Sequence, residues 1–131
     1  MTEIEKTEKI TINLGPVDLG QIDLLVQEGF YTNRTDFIRT AIRIQLTTHA
    51  EVVKRTVARK TLVLGLQHYT RRDLEAVRAA GEKLQINVLG LASIADDVTP
   101  ELALATIDSV VVLGSFRASP EVKAALVRRI T

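Results

Sequence analysis

Lys9-Ile10-Thr11-Ile12-Asn13-Leu14 alternates polar and apolar residues without a break. A period of two places Ile10, Ile12 and Leu14 on one face of a strand, and Lys9, Thr11 and Asn13 on the other. Gly15-Pro16 stops the strand and opens a helix, because proline suits a first helical turn. From Val17 to Glu28 the residues Leu19, Ile22, Leu25 and Val26 share one helical face. Gly29 then stands where a left-handed C-cap belongs. A second helix starts at Asn33-Arg34-Thr35-Asp36, with Asn33 as N-cap and Asp36 at the capping-box position. Phe37, Ile38, Ala41, Ile42, Gln45 and Leu46 continue it at helical spacing, while Arg39 and Arg43 lie on a more polar face.

One strand and two helices do not make a stable unit. The strand has two unpaired edges, and about forty residues bury too little apolar surface. A symmetric dimer solves both problems. Two copies pair their strands antiparallel, and four helices cover the Ile10, Ile12 and Leu14 face. Lys9, Thr11 and Asn13 then face outward twice. All three hydrogen-bond, none is bulky, and a two-stranded ribbon fits the major groove of B-DNA.

With these stretches in view, residues 9–46 resemble a ribbon-helix-helix domain of the CopG type. The match runs through Lys9 to Leu14, Ile22-Asp23 in the first helix, and Gly29-Phe30-Tyr31-Thr32-Asn33-Arg34-Thr35-Asp36-Phe37-Ile38-Arg39-Thr40-Ala41-Ile42-Arg43. The last stretch is the most specific, since the family's second helix commonly opens on an Asn/Ser-Arg-Ser/Thr-acid run. The resemblance implies an intertwined dimer that binds DNA. It assigns base contacts to Lys9, Thr11 and Asn13, and contacts to a backbone phosphate to Thr32, Asn33, Arg34 and Thr35. The phosphate role also has a physical ground, because unpaired N–H groups and the helix dipole attract an anion. For Arg34 a second partner stays open, an acid on the other subunit. The outward strand positions of this family are often richer in Arg, and here only Lys9 is charged.

The chain has 131 residues, 46% hydrophobic and 25% charged, the composition of a folded protein. Seventeen Lys and Arg against sixteen Asp and Glu leave a formal charge of +1. Residues 1–60 hold nine basic and eight acidic side chains, so the DNA-binding module is also barely positive. Affinity from counterion release is therefore modest per dimer and strongly salt-dependent, and binding by several dimers compensates. The absence of cysteine excludes disulfides, thiolate metal sites and cysteine nucleophiles. No apolar run reaches membrane length, and Met1–Lys9 lacks the apolar stretch of a secretory signal. The expectation is a soluble, cytoplasmic, nucleoid-associated protein with no membrane contact.

The second half repeats itself. Val63-Leu64-Gly65, Val88-Leu89-Gly90 and Val112-Leu113-Gly114 are spaced 25 and 24 residues apart. Each precedes a helix-start signal: Thr70 with Asp73, Thr99-Pro100-Glu101, and Ser119-Pro120-Glu121. A hydroxyl cap, proline at the first helical position and an acid in the first turn define a helix N-terminus. Three strand-loop-helix units predict a small, solenoid-like α/β repeat of the size class of leucine-rich repeats. That family's Asn/Cys ladder is absent, so the region is assigned an architecture and no family. The fold class is therefore mixed α/β. Residues 1–8 form a disordered arm, 9–48 the ribbon-helix-helix domain, 49–60 a helical linker and 61–131 the repeat domain. Val127 and Ile130 lie at an end with no cap in sequence, which points to contact with another copy.

Other clusters read as structural. Lys54-Arg55 and Arg59-Lys60 suit a solvated helical linker, with flanking DNA contacts from Lys54 and Arg55 as the alternative. His49 and His68 are too few for a metal centre, and no metal or cofactor is expected. Asp96-Asp97 precedes the Thr99-Pro100 helix start, and no nucleophile, base or phosphate loop accompanies it. An enzyme is not expected. The leading function is a sequence-specific transcriptional regulator, a repressor that occludes a promoter as a dimer, with residues 61–131 assembling dimers or receiving a partner. An antitoxin of a toxin–antitoxin pair and a structural protein assembling through the repeats are the rival readings.

Overall fold

The computed structural model describes residues 7–131, so six residues of the expected N-terminal arm lie outside it. Two compact units emerge, 7–56 and 57–131. Among the described residues the architecture is mixed α/β, with six helices and one three-stranded parallel sheet. No helix among them is long and apolar enough to cross a membrane.

The first unit holds helices α1 (Pro16–Gln27) and α2 (Arg34–Thr48). A third helix, α3 (Ala50–Arg59), runs across the boundary between the units. Gly15 is the N-cap of α1, with Pro16 just inside. Gly29 closes the helix at φ 86°. Its N–H donates to the Val26 carbonyl at 3.1 Å, and the Phe30 N–H donates to the Leu25 carbonyl at 3.0 Å. This paired closure is a Schellman motif, which a side chain at position 29 would strain. The Tyr31 and Phe37 rings meet edge to face, with centroids 5.0 Å apart, and brace the turn between the helices. The helical linker expected over residues 49–60 is a helix of its own. His49 ends α2, and α3 begins at Ala50.

Residues 9–14 join no sheet, so the expected strand is not formed within the single chain. The reason is geometric: a strand is defined by its ladder, and no other described segment of the chain pairs with this one. Its apolar side chains are uncovered, Ile10 being 76% exposed, Ile12 57% and Leu14 41%. In the unit as a whole, Ile22 is the one buried residue among those described.

The second unit has its own core. Its order is β1 (Val63–Tyr69), α4 (Arg71–Ala79), β2 (Leu84–Ile94), α5 (Pro100–Thr106), β3 (Ile107–Arg117) and α6 (Pro120–Leu126). The strands are parallel in the order β1-β2-β3. The repeated tripeptides stand side by side: Val63 on Val88 on Val112, Leu64 on Leu89 on Leu113, Gly65 on Gly90 on Gly114. All three predicted caps are present. Thr70 and Asp73 close a full capping box, Thr99 Oγ1 accepts from the Leu102 N–H, and Ser119 Oγ accepts from the Val122 N–H.

Ile86, Val88, Ala92 and Ile94 of β2 and Val110 of β3 pack with Leu74, Leu102, Ala103, Val122 and Leu126 from the three helices. Alternation along the strands leaves Leu64, Leu66, Leu89, Leu91 and Leu113 on the opposite face, where Leu64, Leu66 and Leu113 are exposed. Among the described residues the helices cover one face of the sheet, while on the other Leu91 is buried and Leu89 half-buried. Asp96 and Asp97 occupy the turn that the Val98 N–H closes on the Ala95 carbonyl at 3.1 Å.

The C-terminal end departs from expectation. Ile130, expected to be uncapped, lies beside β3 in a one-residue parallel bridge to Val110. The Val110 N–H donates to the Arg129 carbonyl and the Thr131 N–H donates to the Val110 carbonyl, both at 2.9 Å. Arg129 Nη1 also donates to the carbonyls of Leu104 and Ile107 at 2.7 Å, which pins this tail to the start of β3. The bridge engages only the backbone there, and the side chains of both Val127 and Ile130 stay exposed.

Candidate nucleic-acid interface

The ribbon segment presents every side chain to solvent. Lys9, Thr11 and Asn13 are exposed, as are the apolar residues between them. Since the segment lacks a partner strand, the single chain does not by itself separate an outer polar face from an inner apolar one. Pairing would do so, because ladder formation enforces the period of two.

Thr32, Asn33, Arg34 and Thr35 do come together, at the N-terminus of α2. Asn33 Oδ1 accepts from the Asp36 N–H at 2.8 Å. Asp36 Oδ2 reaches back to accept from the Thr32 N–H at 2.9 Å, one residue earlier than a standard capping box. The first intrahelical bond runs from the Phe37 N–H to the Asn33 carbonyl at 3.2 Å. Among the described residues the N–H groups of Arg34 and Thr35 have no partner, which leaves two donors at the positive end of the helix dipole. The carboxylate of Asp36 in the same turn offsets part of that positive potential.

Arg34 finds an acid, but on its own chain. Its Nε donates to Asp23 Oδ1 at 2.7 Å and its Nη2 to Asp23 Oδ2 at 2.8 Å, a two-pronged pair between α2 and α1. The hydrogen bond and charge of Arg34 hold the Asp23 carboxyl below its ordinary range, and Asp23 raises the guanidinium in turn. Sequence reasoning gave Asp23 no role. No local signal exists for it, because the pair depends on how two helices cross.

The other candidates are separate from this cluster. Lys54 and Arg55 are exposed on α3, where Arg55 Nε donates to the Glu51 carbonyl at 3.4 Å. His49 sits at the end of α2, with Nε2 3.3 Å from Gln45 Nε2. His68 lies on β1, its Nδ1 2.6 Å from Ser93 Oγ. The two histidines thus belong to different units.

A ribbon-helix-helix transcriptional regulator family matches the chain over residues 5–123. The protein belongs to that family. Family membership reaches well past the segment 9–46 and through the parallel sheet, so the C-terminal region that sequence patterns left unassigned is part of the ribbon-helix-helix regulator itself. Regulators of this family bind DNA, usually dimerise and are generally not enzymes. Neither the curated proteins nor the solved structures contain a match to the chain.

Proposed function

We propose that this ribbon-helix-helix regulator is a sequence-specific repressor that binds its operator as a dimer. Two copies pair residues 9–14 antiparallel, and the resulting ribbon enters the major groove. Lys9, Thr11 and Asn13 read base edges. Thr32, Asn33 and Thr35 hold a phosphate through the free N–H groups of Arg34 and Thr35. Arg34 contributes by fixing α2 against α1 through Asp23, and its remaining donors face the same phosphate. Lys54 and Arg55 reach flanking backbone. Residues 61–131 act as a solenoid-like repeat that joins dimers, which lifts the occupancy of a module with little net charge.

The observation that carries this reading is the uncovered face of Ile10, Ile12 and Leu14 beside a helix pair that buries only Ile22. Such a unit needs a second copy, and antiparallel pairing of the segment supplies one. A toxin-binding tail would suit an antitoxin better if it were disordered until bound. The separate core of residues 57–131 favours the regulator.

The test is fluorescence anisotropy with duplex DNA from the region upstream of the protein's own coding sequence, against a scrambled duplex, at two salt concentrations. Preferential binding to the upstream duplex is expected. Changing Lys9, Thr11 and Asn13 together to Ala should abolish that preference, each base contact being worth about 1–3 kcal/mol, with the dimer retained by light scattering. A triple variant that keeps the preference would remove base readout from the ribbon.

A further inference from the structure

The two edges of the parallel sheet are treated differently. At the β3 edge the tail bonds on both sides of Val110. The β1 edge, Val63 to Tyr69, has nothing beside it among the described residues. Exposed edges are usually protected by charge, proline, a bulge or a cover. None of these is present in Val63-Leu64-Gly65-Leu66-Gln67-His68-Tyr69: the strand has no Lys, Arg, Asp, Glu or Pro, and the sheet's one register shift lies between β2 and β3. Its leucines are also the least covered of the sheet, with Leu66 54% exposed.

We propose that β1 is a docking edge for β1 of a second copy, paired antiparallel about a two-fold axis near Leu66. The strand is self-complementary in this sense. Leu66 opposes Leu66 of the other copy, Leu64 opposes His68, and Gly65 opposes Gln67. No like charges meet, and the leucine face of each sheet continues into the next. The result is one sheet of six strands with β3 at both ends.

The size of the contact selects the occupant. A seven-residue strand is about 23 Å long. One strand pair with its flanking leucines falls short of the roughly 800 Å² per partner of a stable free-standing interface. An unrelated protein would have to make up that deficit at its own concentration. A second copy brought close by ribbon pairing or by a neighbouring operator meets the edge at an effective concentration of about a millimolar. The inference therefore deepens the proposed assembly role of residues 61–131 and rests on it.

The chain has no cysteine, so a single introduced cysteine can bridge only between copies. Opposed residues of an antiparallel pair lie about 4.5–5.5 Å apart at Cα, within the span of a disulfide. Leu66→Cys in the full-length protein, mildly oxidised, should run as a covalent dimer on a non-reducing gel. Leu113→Cys, two strands away, should stay single. Leu66→Lys should reduce the largest species seen by light scattering at least two-fold in mass, with an unchanged circular dichroism spectrum. The idea is overturned if Leu66→Cys does not bridge, or if Leu113→Cys bridges in its place and so puts the contact on the sheet face. Repeating the oxidation with Ile12→Glu separates the two proposals. Loss of the bridge together with DNA binding is the result expected there, because the edge relies on the ribbon to bring two copies close. A bridge absent in a protein that still reads its operator sinks the edge alone.

Discussion

A Cβ built on Gly90 would overlap the carbonyl oxygen of Gly65, and one on Gly114 would overlap that of Gly90. At Gly65 it would meet open space. All three residues have φ between 120° and 139°, where side chains are strained. Gly65→Ala is therefore expected to cost only the backbone strain, about 1–3 kcal/mol. Gly90→Ala and Gly114→Ala should cost more than that, because two strands must also separate. Urea midpoints of the three variants would rank them, and equal losses would show that conformation alone explains the repeat. Thr61 is the opposite case. It holds φ 52° with a branched side chain at the end of α3, where the Leu62 N–H donates to the Val57 carbonyl at 3.0 Å. Thr61→Gly is expected to stabilise by up to about 1 kcal/mol, the left-handed penalty less the entropy of glycine, read as a higher urea midpoint.

At the level of elements, the helix starts are the best-specified features. The Asp73 carboxyl is held below its ordinary value, first by the Thr70 backbone N–H and then by the Thr70 hydroxyl, with His68 and Arg72 adding smaller attractions. A depressed acid contributes stability that is present above its unfolded value, near 4, and is lost as pH falls through the lower folded value. Unfolding followed by circular dichroism between pH 5 and pH 2 should show wild type losing stability toward acid. Asp73→Asn should show a shallower loss over that window and lower stability at pH 7. A parallel pH dependence of the two proteins would exclude the cap. Thr70, Thr99 and Ser119 were legible in sequence because each cap satisfies a donor within three residues. The glycine register was legible as spacing, although the carbonyl contact that demands glycine was not. What escaped was non-local. The Asp23–Arg34 pair, the tail beside Val110 and the four residues of β2 before Val88 all depend on how elements approach in space. Residues 9–14 have the alternation of a strand but join no sheet within the chain, and the pairing proposed for them is between copies.

For the whole molecule, the contrast between the units leads to a prediction about their stability. Residues 57–131 bury Leu74, Ile86, Val88, Ile107, Val110, Val122 and Leu126 without any second copy. Residues 7–56 bury only Ile22, and in the proposed dimer the rest of their core comes from association. Mass action then separates them: each tenfold rise in protein concentration adds about 1.4 kcal/mol to a unit whose core forms between two copies, and nothing to a self-contained one. Hydrogen exchange resolves the two, since protection reports the local opening free energy. Amides of α1 and α2 should gain protection with concentration, and those of β2 and β3 should not. Ile12→Glu puts a charge into the shared face, so it should strip protection from α1 and α2 while leaving β2 and β3 as they are. If α1 and α2 are equally protected at every concentration, their core is complete within one chain and the ribbon dimer loses its physical ground.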